Sequence, residues 1–366
     1  MTYILSVISA FLLSILSGFI MIPFIMNFCK RKKLYDIPNR RKIHHNLVPR
    51  LGGISFLPSM LLAFFVAIIA LGGQIHGRQI TISIWSIGFM GSLLIIYAVG
   101  IIDDLIGVGA KIKFIVQIIA AYILTFCGLY INNLYGLFGI HQISYWVGMP
   151  LTIFIIVFIV NSVNLIDGID GLAASLSIVA LSGFLYCFIN EKMTVYCILI
   201  AGLIGILIPY LYFNLFGKVE DNRKIFMGDS GSLTLGFILG FLFVKYSMDN
   251  RSLMPFSNDR IMLGYSLLVV PTFDVVRVII HRLRHHKSIF VADKNHIHHK
   301  LMRAGLTQHQ TLFVILLLAI FIIILNLLIF KHVGITWLVL IDVFIYTLFH
   351  IFLSRYNYLK IKAEYR

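Results

Sequence analysis

Long apolar runs separated by short polar loops are the feature that most restricts the fold of this 366-residue chain. A helix of about 20 apolar residues crosses the hydrocarbon core of a bilayer. Only 12% of the residues are charged, whereas a soluble domain carries about 25%. We therefore predict an all-α, polytopic membrane protein with one domain over residues 1–366 and about eleven transmembrane helices. The predicted helices cover residues 3–27, 51–72, 82–102, 114–131, 150–166, 171–189, 194–213, 231–246, 261–280, 311–330 and 333–353.

Basic residues are distributed unevenly between the predicted loops. Most of the 30 Lys and Arg residues fall in alternate loops and in the C-terminal tail, which are residues 28–50, 103–113, 214–229, 281–310 and 354–366. By the positive-inside rule, these segments face the cytoplasm, with the N-terminus outside and the C-terminus cytoplasmic. The net charge of +15 suits lipid headgroups and polyphosphate ligands, and no soluble segment remains to carry a nucleic-acid partner.

Acidic residues gather at the ends of apolar runs, although the chain has only 15 Asp and Glu. Asp103 and Asp104 end one run, Asp167 and Asp170 follow another, and Asp229 precedes a third. Carboxylates at a membrane edge are costly unless they are paired, metal-bound or functional. All five lie on the face that the basic loops assign to the cytoplasm. We therefore predict one site there for a divalent cation and a phosphorylated substrate.

The first acidic motif is GIIDDLIGVGAKIKF. Adjacent carboxylates at a helix end can hold a divalent cation or accept a proton from an attacking group. Lys111 and Lys113 follow within reach of a phosphate. A solvated helix end also commonly carries Asp, but two consecutive Asp residues beside an apolar run favour a functional pair.

The second motif is NSVNLIDGIDGLAAS. Asn161, Asn164, Asp167 and Asp170 are spaced three apart, which places them near one face of a helix. The two glycines of DGIDG allow a sharp turn and a close backbone approach to a ligand. Since packing explains four aligned polar residues poorly, we predict that they bind substrate.

The third motif is FMGDSGS, which runs from Phe226 to Ser232 directly before an apolar helix. Its glycines bring backbone N–H groups together, and the N-terminus of the following helix favours a phosphate. Asp229 would bind the metal that the phosphate carries. The string GDSG also occurs in serine proteases, but a Ser nucleophile needs a His partner, and the position at the lipid edge favours phosphate and metal.

The fourth motif is a basic segment, HRLRHHKSIFVADKNHIHHKLMRAGL. Imidazoles such as His296, His298 and His299 can neutralise phosphate oxygens in a transition state. A basic membrane-surface segment is an alternative. A zinc site is another, although no Cys or nearby Glu completes four ligands. In the N-terminal loop NRRKIHHNLVPRLGG, His44 and Arg50 are further phosphate candidates, and the loop's charge also sets topology.

Asp342, in the apolar run VLIDVFIY, lies outside this pattern. Pairing with a neighbouring helix and a subunit contact both remain open for it.

Together the motifs resemble those of the polyprenyl-phosphate N-acetylhexosamine-1-phosphate transferase family. RKIHHNLVPRLGG, GIIDDLIGV, NSVNLIDGIDGL, FMGDSGS and DKNHIHHKL follow in that order over about residues 36–305. The family includes the bacterial enzymes that start the synthesis of lipopolysaccharide, teichoic acid and capsule units. It also includes the phospho-N-acetylmuramoyl-pentapeptide transferase of peptidoglycan synthesis. The form HIHH after DKN is more similar to the N-acetylglucosamine branch.

The resemblance implies an enzyme of the bacterial plasma membrane with its active site on the cytoplasmic face. It implies transfer of N-acetylglucosamine 1-phosphate from a UDP-sugar to undecaprenyl or another polyprenyl phosphate, with release of UMP. Mg²⁺, or alternatively Mn²⁺, is the implied cofactor, membrane lipids surround the protein, and a homodimer is left open. The peptidoglycan enzyme and a cation-coupled transporter are the alternatives. Acids at one edge and the lack of a visible repeat argue against a transporter.

The resemblance also implies roles for single residues. Asp229 resembles the principal metal ligand, and Asp103 and Asp104 resemble the paired carboxylates near the attacking lipid phosphate. Asn164 and Asp170 resemble residues on the nucleotide side. By the same resemblance, Phe226 stacks on uracil, and the catalytic histidines near the diphosphate are His296, His298 and His299. Many relatives carry a third carboxylate where this chain has Gly107.

Overall fold

Helices make up most of the residues that this computed structural model describes. The structure describes residues 2–36, 48–71, 74–75, 78–79, 83–221, 223–288 and 295–364. The helices are α1 (Thr2–Lys32), α2 (Phe56–Ala70), α3 (Ile84–Ile106), α4 (Ala110–Phe126), α5 (Tyr145–Ile166), α6 (Leu172–Asn190), α7 (Thr194–Leu211), α8 (Gly228–Ser247), α9 (Arg260–Arg284), α10 (Ile297–Arg303) and α11 (Gln308–Glu364).

Three short antiparallel strand pairs complete the regular structure of the described residues. The pairs are β1 (Tyr35–Asp36) with β2 (Val48–Pro49), β3 (Gln74–Ile75) with β4 (Arg78–Gln79), and β5 (Asn133–Leu137) with β6 (Ile140–Gln142). They only connect helices, so the predicted all-α fold class is confirmed.

Nine helical segments among the described residues are long and apolar enough to cross a membrane. The chain is therefore a polytopic membrane protein. Each of the predicted spans coincides with one of these segments or with α4, which has 17 residues and a length of about 25 Å. The orientation of the termini stays a prediction.

The last span, α11, consists of two helices that meet at Gly334. This residue has φ 70° and ψ 171°, outside the helical region. The Nδ2 atom of Asn326 lies 2.8 Å from Oδ2 of Asp342, whereas a straight helix would separate the two residues by about 24 Å. The chain therefore folds back near Gly334, as the two spans predicted at 311–330 and 333–353 require.

Helix α8 forms the centre of the bundle and is buried along nearly its whole length. Small residues let its neighbours approach closely. A Cβ atom at Gly236 of α8 would lie 2.7 Å from Cα of Val160 in α5, and one at Gly100 of α3 would lie 2.6 Å from Cα of Ser230. These contacts bring the C-terminal ends of α3 and α5 to the N-terminal end of α8, where the predicted motifs meet.

Candidate active site

Asp104, at the C-terminal end of α3, caps the start of α8. Its side chain is buried, with 6% exposed. Oδ1 accepts a hydrogen bond from the backbone N–H of Asp229 at 2.8 Å, and Oδ2 accepts one from Ser230 at 2.9 Å. A negative charge at a helix N-terminus is favourable because the first N–H groups have no partner within the helix. Asp104 therefore fixes the position of Asp229, and its predicted role at the lipid phosphate stays a prediction.

Asp229, Asp103, Lys113 and Asn164 form one hydrogen-bonded cluster, which we call the edge cluster. Lys113 Nζ lies 2.6 Å from Oδ2 of Asp229 and 3.0 Å from Oδ2 of Asp103. Nδ2 of Asn164 donates to Oδ1 of Asp229 at 2.7 Å. The side chains of Asp103, Lys113 and Asp229 are 12%, 20% and 25% exposed. The structure thus joins residues from the first three motifs at a site that remains partly open.

The loop before α2 runs beside the third motif. The backbone N–H of Phe226 donates to the Pro49 carbonyl at 2.8 Å, and those of Gly52 and Gly53 donate to the carbonyls of Phe226 and Met227 at 2.9 and 2.8 Å. These bonds hold Phe226 and Met227 against the loop, directly before α8 begins. Phe226 is half-buried beside this loop, and its predicted role at the nucleotide stays a prediction.

Arg50, in the same loop, contacts the end of α3. Its Nη2 atom donates to the backbone carbonyl of Asp104. A Cβ atom added to Gly228 would lie 2.2 Å from the Arg50 carbonyl oxygen and 2.5 Å from Oδ2 of Asp104, so the turn needs glycine there. The other predicted residue of this loop, His44, lies outside the described residues.

The DGIDG turn is bonded to the segment of the chain directly before α8. Asp170 forms a salt bridge of 2.6 Å with Lys224. Oδ1 of Asn214, which is 2% exposed, accepts from the N–H of Gly171 at 2.6 Å, and its Nδ2 donates to the Ile225 carbonyl at 2.8 Å. Asn214 lies in a π-helical turn after α7 that the sequence analysis did not identify. It fixes Asp170 on the Phe226 side of the site.

Asp167 is half-buried at the end of α5. Burial raises its pKa to about 7, and the negative charges of Asp229, Asp170 and Asp104 add to this effect. The shift indicates that Asp167 shares one negative field with the other predicted acids. A cationic ligand in this field would favour the ionised carboxylate.

Two predicted ligands lie apart from the edge cluster. Nδ2 of Asn161 donates to Oε1 of Gln117 at 2.6 Å and to the Val157 carbonyl at 2.7 Å. Gln117 is 2% exposed, so this contact joins α4 to α5 one turn deeper than the site. Lys111 is exposed in the first turn of α4. Their predicted binding roles stay predictions.

The histidine motif packs directly on the DGIDG turn. A Cβ atom at Gly168 would lie 2.2 Å from Nε2 of His298, which is 1% exposed. Burial lowers the pKa of His298 to about 3, and the nearby charge of His299 adds to the effect, so the His298 ring is neutral. The ring centroids of His298 and His299 are 4.3 Å apart, and the His296 and His298 rings are nearly parallel with centroids at 5.8 Å.

Asp274 is a residue that the sequence analysis missed. It is fully buried in α9, and its Oδ2 lies 2.7 Å from Nδ1 of His296. Its Oδ1 accepts from the Ile297 N–H at 2.9 Å and from Nη2 of Arg277 at 2.8 Å. The available signal was an acid in the apolar segment PTFDVVRV, but the predicted site was built on acids at the ends of such runs.

The donor atoms of the edge cluster fit a hard divalent cation. Asp103 and Asp229 already share the positive charge of Lys113 between their carboxylates. Within the described ranges, no three or more His, Cys, Asp or Glu side chains form a ready-made metal site. Mg²⁺ often uses only one or two protein carboxylates together with substrate phosphates and water. Asp103 and Asp229 could therefore hold such an ion together with a substrate phosphate, and the Mg²⁺ site stays a prediction.

Comparison with known proteins agrees with this geometry. The sequence model of glycosyl transferase family 4 matches residues 86–247, which contain the first three motifs. The chain is 31% identical over 344 residues to a probable undecaprenyl-phosphate N-acetylglucosaminyl 1-phosphate transferase of Bacillus subtilis, covering 94% of this chain and 90% of the relative.

Two further relatives are described as undecaprenyl-phosphate alpha-N-acetylglucosaminyl 1-phosphate transferases. The protein of Yersinia pestis is 30% identical over 292 residues, covering 78% of this chain and 74% of its own length. The protein of Escherichia coli K12 is 29% identical over 301 residues, covering 81% and 76%. With the first three motifs assembled at one site and a likeness over nearly the whole chain, this protein belongs to the polyprenyl-phosphate N-acetylhexosamine-1-phosphate transferases of glycosyl transferase family 4.

Proposed function

We propose that this enzyme transfers N-acetylglucosamine 1-phosphate from UDP-N-acetylglucosamine to undecaprenyl phosphate and releases UMP. The observation that carries the proposal is the edge cluster. Side chains from α3, α4, α5 and α8 meet there next to a helix N-terminus, and the cluster is partly exposed. A soluble nucleotide sugar and a lipid phosphate can meet at such a place.

The reaction exchanges one diphosphate bond for another. An oxygen of the lipid phosphate attacks the phosphorus that carries the sugar, and the bond from this phosphorus to the bridging oxygen breaks. The bridging oxygen leaves with UMP, and the lipid gains a sugar-bearing phosphate. The lipid phosphate is ionised at neutral pH, so the step needs no net proton transfer and no strong base.

The protein groups position the reactants and stabilise charge. Mg²⁺ held by Asp229 and Asp103 would neutralise charge on the diphosphate. Lys113 lies between the same two carboxylates, from where its ammonium can contact a phosphate oxygen. Asp104 keeps Asp229 in place through the first turn of α8. His299 and Arg50 add positive or hydrogen-bonding groups at the periphery.

The nucleotide end of the donor is assigned to the third motif. Phe226 lies three residues before Asp229. Its ring can therefore stack on uracil while the Asp229 carboxylate faces the diphosphate. Asp170 is held on the same side by Lys224. Asn164, bonded to Asp229, would orient the metal ligand and contact the donor.

The location of the reaction follows from charge. Helices α3 and α5 end, and α8 begins, in segments next to the basic loops. By the positive-inside rule these segments face the cytoplasm of a bacterial plasma membrane, where nucleotide sugars are made. Labelling of single cysteines at 107–109 and 218–221 checks this. We expect labelling only after the membrane is permeabilised, and labelling from outside would contradict the proposed face.

A donor panel tests the substrate. Purified protein is incubated with undecaprenyl phosphate, Mg²⁺ and, separately, UDP-N-acetylglucosamine, UDP-N-acetylgalactosamine and UDP-N-acetylmuramoyl-pentapeptide, and the lipid product is weighed by mass spectrometry. We expect a product with one N-acetylhexosamine and two phosphates from the first donor. Transfer only from the pentapeptide donor would refute the proposed substrate while keeping the reaction class.

A further inference from the structure

The contact between Asp274 and His296 joins two elements that are distant in sequence. Asp274 lies in the C-terminal half of α9, and His296 directly precedes α10. Their side chains are 0% and 5% exposed, so the bond of 2.7 Å between Oδ2 and Nδ1 is shielded from water. A buried carboxylate at a ring nitrogen is an arrangement that fixes how a histidine presents its other nitrogen.

The remaining contacts of Asp274 prevent its carboxylate from turning. Oδ1 accepts from the Ile297 N–H at 2.9 Å and from Nη2 of Arg277 at 2.8 Å. Arg277 also donates to the Asn295 carbonyl. The residues on both sides of His296 are thus bound to the same Asp274–Arg277 pair, which fixes the backbone and the ring together.

We infer that Asp274 is a positioning residue for His296, a role that rests on the proposed function of the histidine motif. Because a carboxylate can only accept a hydrogen bond, Nδ1 of His296 must carry a proton. Nε2 is then the ring nitrogen left for a substrate phosphate, and because an ionised phosphate oxygen can only accept a hydrogen bond, it contacts Nε2 when the ring carries a proton on both nitrogens and Asp274 balances its charge. The ring of His298, parallel to that of His296 at a centroid distance of 5.8 Å, packs on Gly168 of the DGIDG turn. Asp274 acts on the reaction only through His296.

Replacement of Asp274 by Asn reverses the hydrogen-bond pattern without changing the shape. The amide oxygen must still accept from the Ile297 N–H and from Arg277, so the amide NH₂ faces Nδ1 of His296. Nδ1 then has to accept, and in the neutral ring the proton moves to Nε2. The variant therefore has no anion beside His296 to balance a doubly protonated ring, while it keeps the packing of α9 on the histidine motif.

The direct test is nitrogen NMR of the protein labelled in its histidine rings, with His296→Gln to assign the signal. We expect a protonated Nδ1 on His296 in the wild-type protein and a bare Nδ1 with a protonated Nε2 in D274N. A bare Nδ1 on His296 in the wild-type protein would overturn the inference. This outcome is independent of any transfer activity and decides the geometry even if the D274N protein fails to fold.

Kinetics test the functional half of the inference. We expect kcat of D274N to fall about 10- to 100-fold with a smaller change in the donor KM, as for residues that orient a ligating or catalytic group. The double variant D274N/H296Q should be no slower than H296Q alone, because Asp274 acts through His296. Losses that multiply in the double variant would show an independent structural role and overturn the inference.

Asn357→Ala is the matched control. Nδ2 of Asn357 in α11 donates to the backbone carbonyl of Lys300 in α10 at 3.0 Å, so this variant loosens the histidine-bearing helix without touching His296. We expect kcat within about threefold of wild type, and equal losses in N357A and D274N would contradict the positioning role. If the wild-type protein has the expected tautomer but transfers nothing from any donor, the proposed function fails and the hydrogen-bond assignment stands.

Discussion

Two polar clusters in this bundle each contain a carboxylate that lies in or beside an apolar run of the sequence. The edge cluster joins Asp103 and Asp229 to Lys113 and Asn164. The second, which we call the interior cluster, consists of Asp342, Asn326 and Ser266. Nδ2 of Asn326 donates to Oδ2 of Asp342 at 2.8 Å and lies 2.9 Å from Oγ of Ser266. Both clusters provide a hydrogen-bond partner for acids that would be costly in lipid if left unpaired.

The clusters differ in exposure and in what surrounds them. Asp342 and Asn326 are 0% exposed, whereas Asp229 and Lys113 are 25% and 20% exposed. Glycine turns and a helix N-terminus border the edge cluster, but the interior cluster lies between helices alone. Hydrogen bonding to a partner therefore explains why an acid is tolerated in the membrane. Solvent exposure and nearby backbone N–H groups indicate which acid can bind a substrate. The interior cluster holds the two arms of α11 together, which agrees with one of the two alternatives left open for Asp342, pairing with a neighbouring helix.

The largest effect should come from Asp229→Asn in the edge cluster. Removal of the charge leaves Asn164 without its anionic partner and Lys113 with Asp103 alone, and it weakens metal binding beside the diphosphate. We expect kcat to fall by about 10³-fold or more, which corresponds to about 4 kcal/mol, with the thermal unfolding temperature nearly unchanged. Turnover within tenfold of wild type in a folded variant would remove the functional distinction between the two clusters.

The next effect tests whether the histidine motif belongs to the same site. In Gly168→Ala the new Cβ would lie 2.2 Å from Nε2 of His298, so the buried ring must move. We expect a loss of about 10²-fold in kcat/KM, since small misplacements of a reacting group have such effects. The control is Gly91→Ala in α3, where nothing lies within 4 Å of the added atom and activity should be unchanged. Equal activity of both variants would separate the histidines from the site.

A smaller effect distinguishes binding from chemistry within the site. Phe226→Ala removes a stacking partner for uracil, an interaction worth about 0.5–1.5 kcal/mol beyond area burial. We expect the KM for the UDP-sugar to rise about 2- to 10-fold, with a smaller change in kcat. Asp103→Asn and Asp104→Asn should instead lower mainly kcat. If Phe226→Ala changes only thermal stability, the ring is a packing residue.

The smallest effect on turnover should come from the interior cluster. Asp342→Leu removes the acceptor for Asn326, which keeps Ser266 as a partner. Polar contacts between transmembrane helices contribute about 0.6 kcal/mol on average, so we expect a loss of about 1 kcal/mol in stability and unchanged transfer. Val343→Leu, at a neighbouring position that is 47% exposed, should change neither. A large loss of activity in Asp342→Leu would show that the clusters are coupled.

The sequence predicted the parts of this structure that depend on local pattern. The length of the apolar runs predicted the membrane spans. The position of Asp103, Asp104 and Asp229 at the ends of these runs indicated that they lie close together. Spacing along a helix, however, shows which face a residue lies on but not which residue of another helix it contacts. Asn161 and Asn164 share a face of α5, yet one bonds to Gln117 between helices and the other to Asp229.

Contacts between distant segments were beyond the reach of the sequence pattern. Asp274 lies in an apolar run, as Asp342 does, and only the fold shows that one of them holds a predicted histidine. Lys111 and Lys113 are equivalent in the motif, but the turn of α4 between them directs Lys113 alone to the edge cluster. Both distinctions depend on the packing of helices that are far apart in sequence.

The central claim is that the edge cluster moves a phosphosugar. Its most direct test uses UDP-N-acetylglucosamine labelled at the phosphorus that carries the sugar, with undecaprenyl phosphate, Mg²⁺ and either the wild-type protein or the D229N variant. We predict that the wild-type enzyme moves the label to the lipid and releases an equal amount of unlabelled UMP, and that D229N moves almost none. Labelled UDP as the released nucleotide, or full transfer by D229N, would contradict the account.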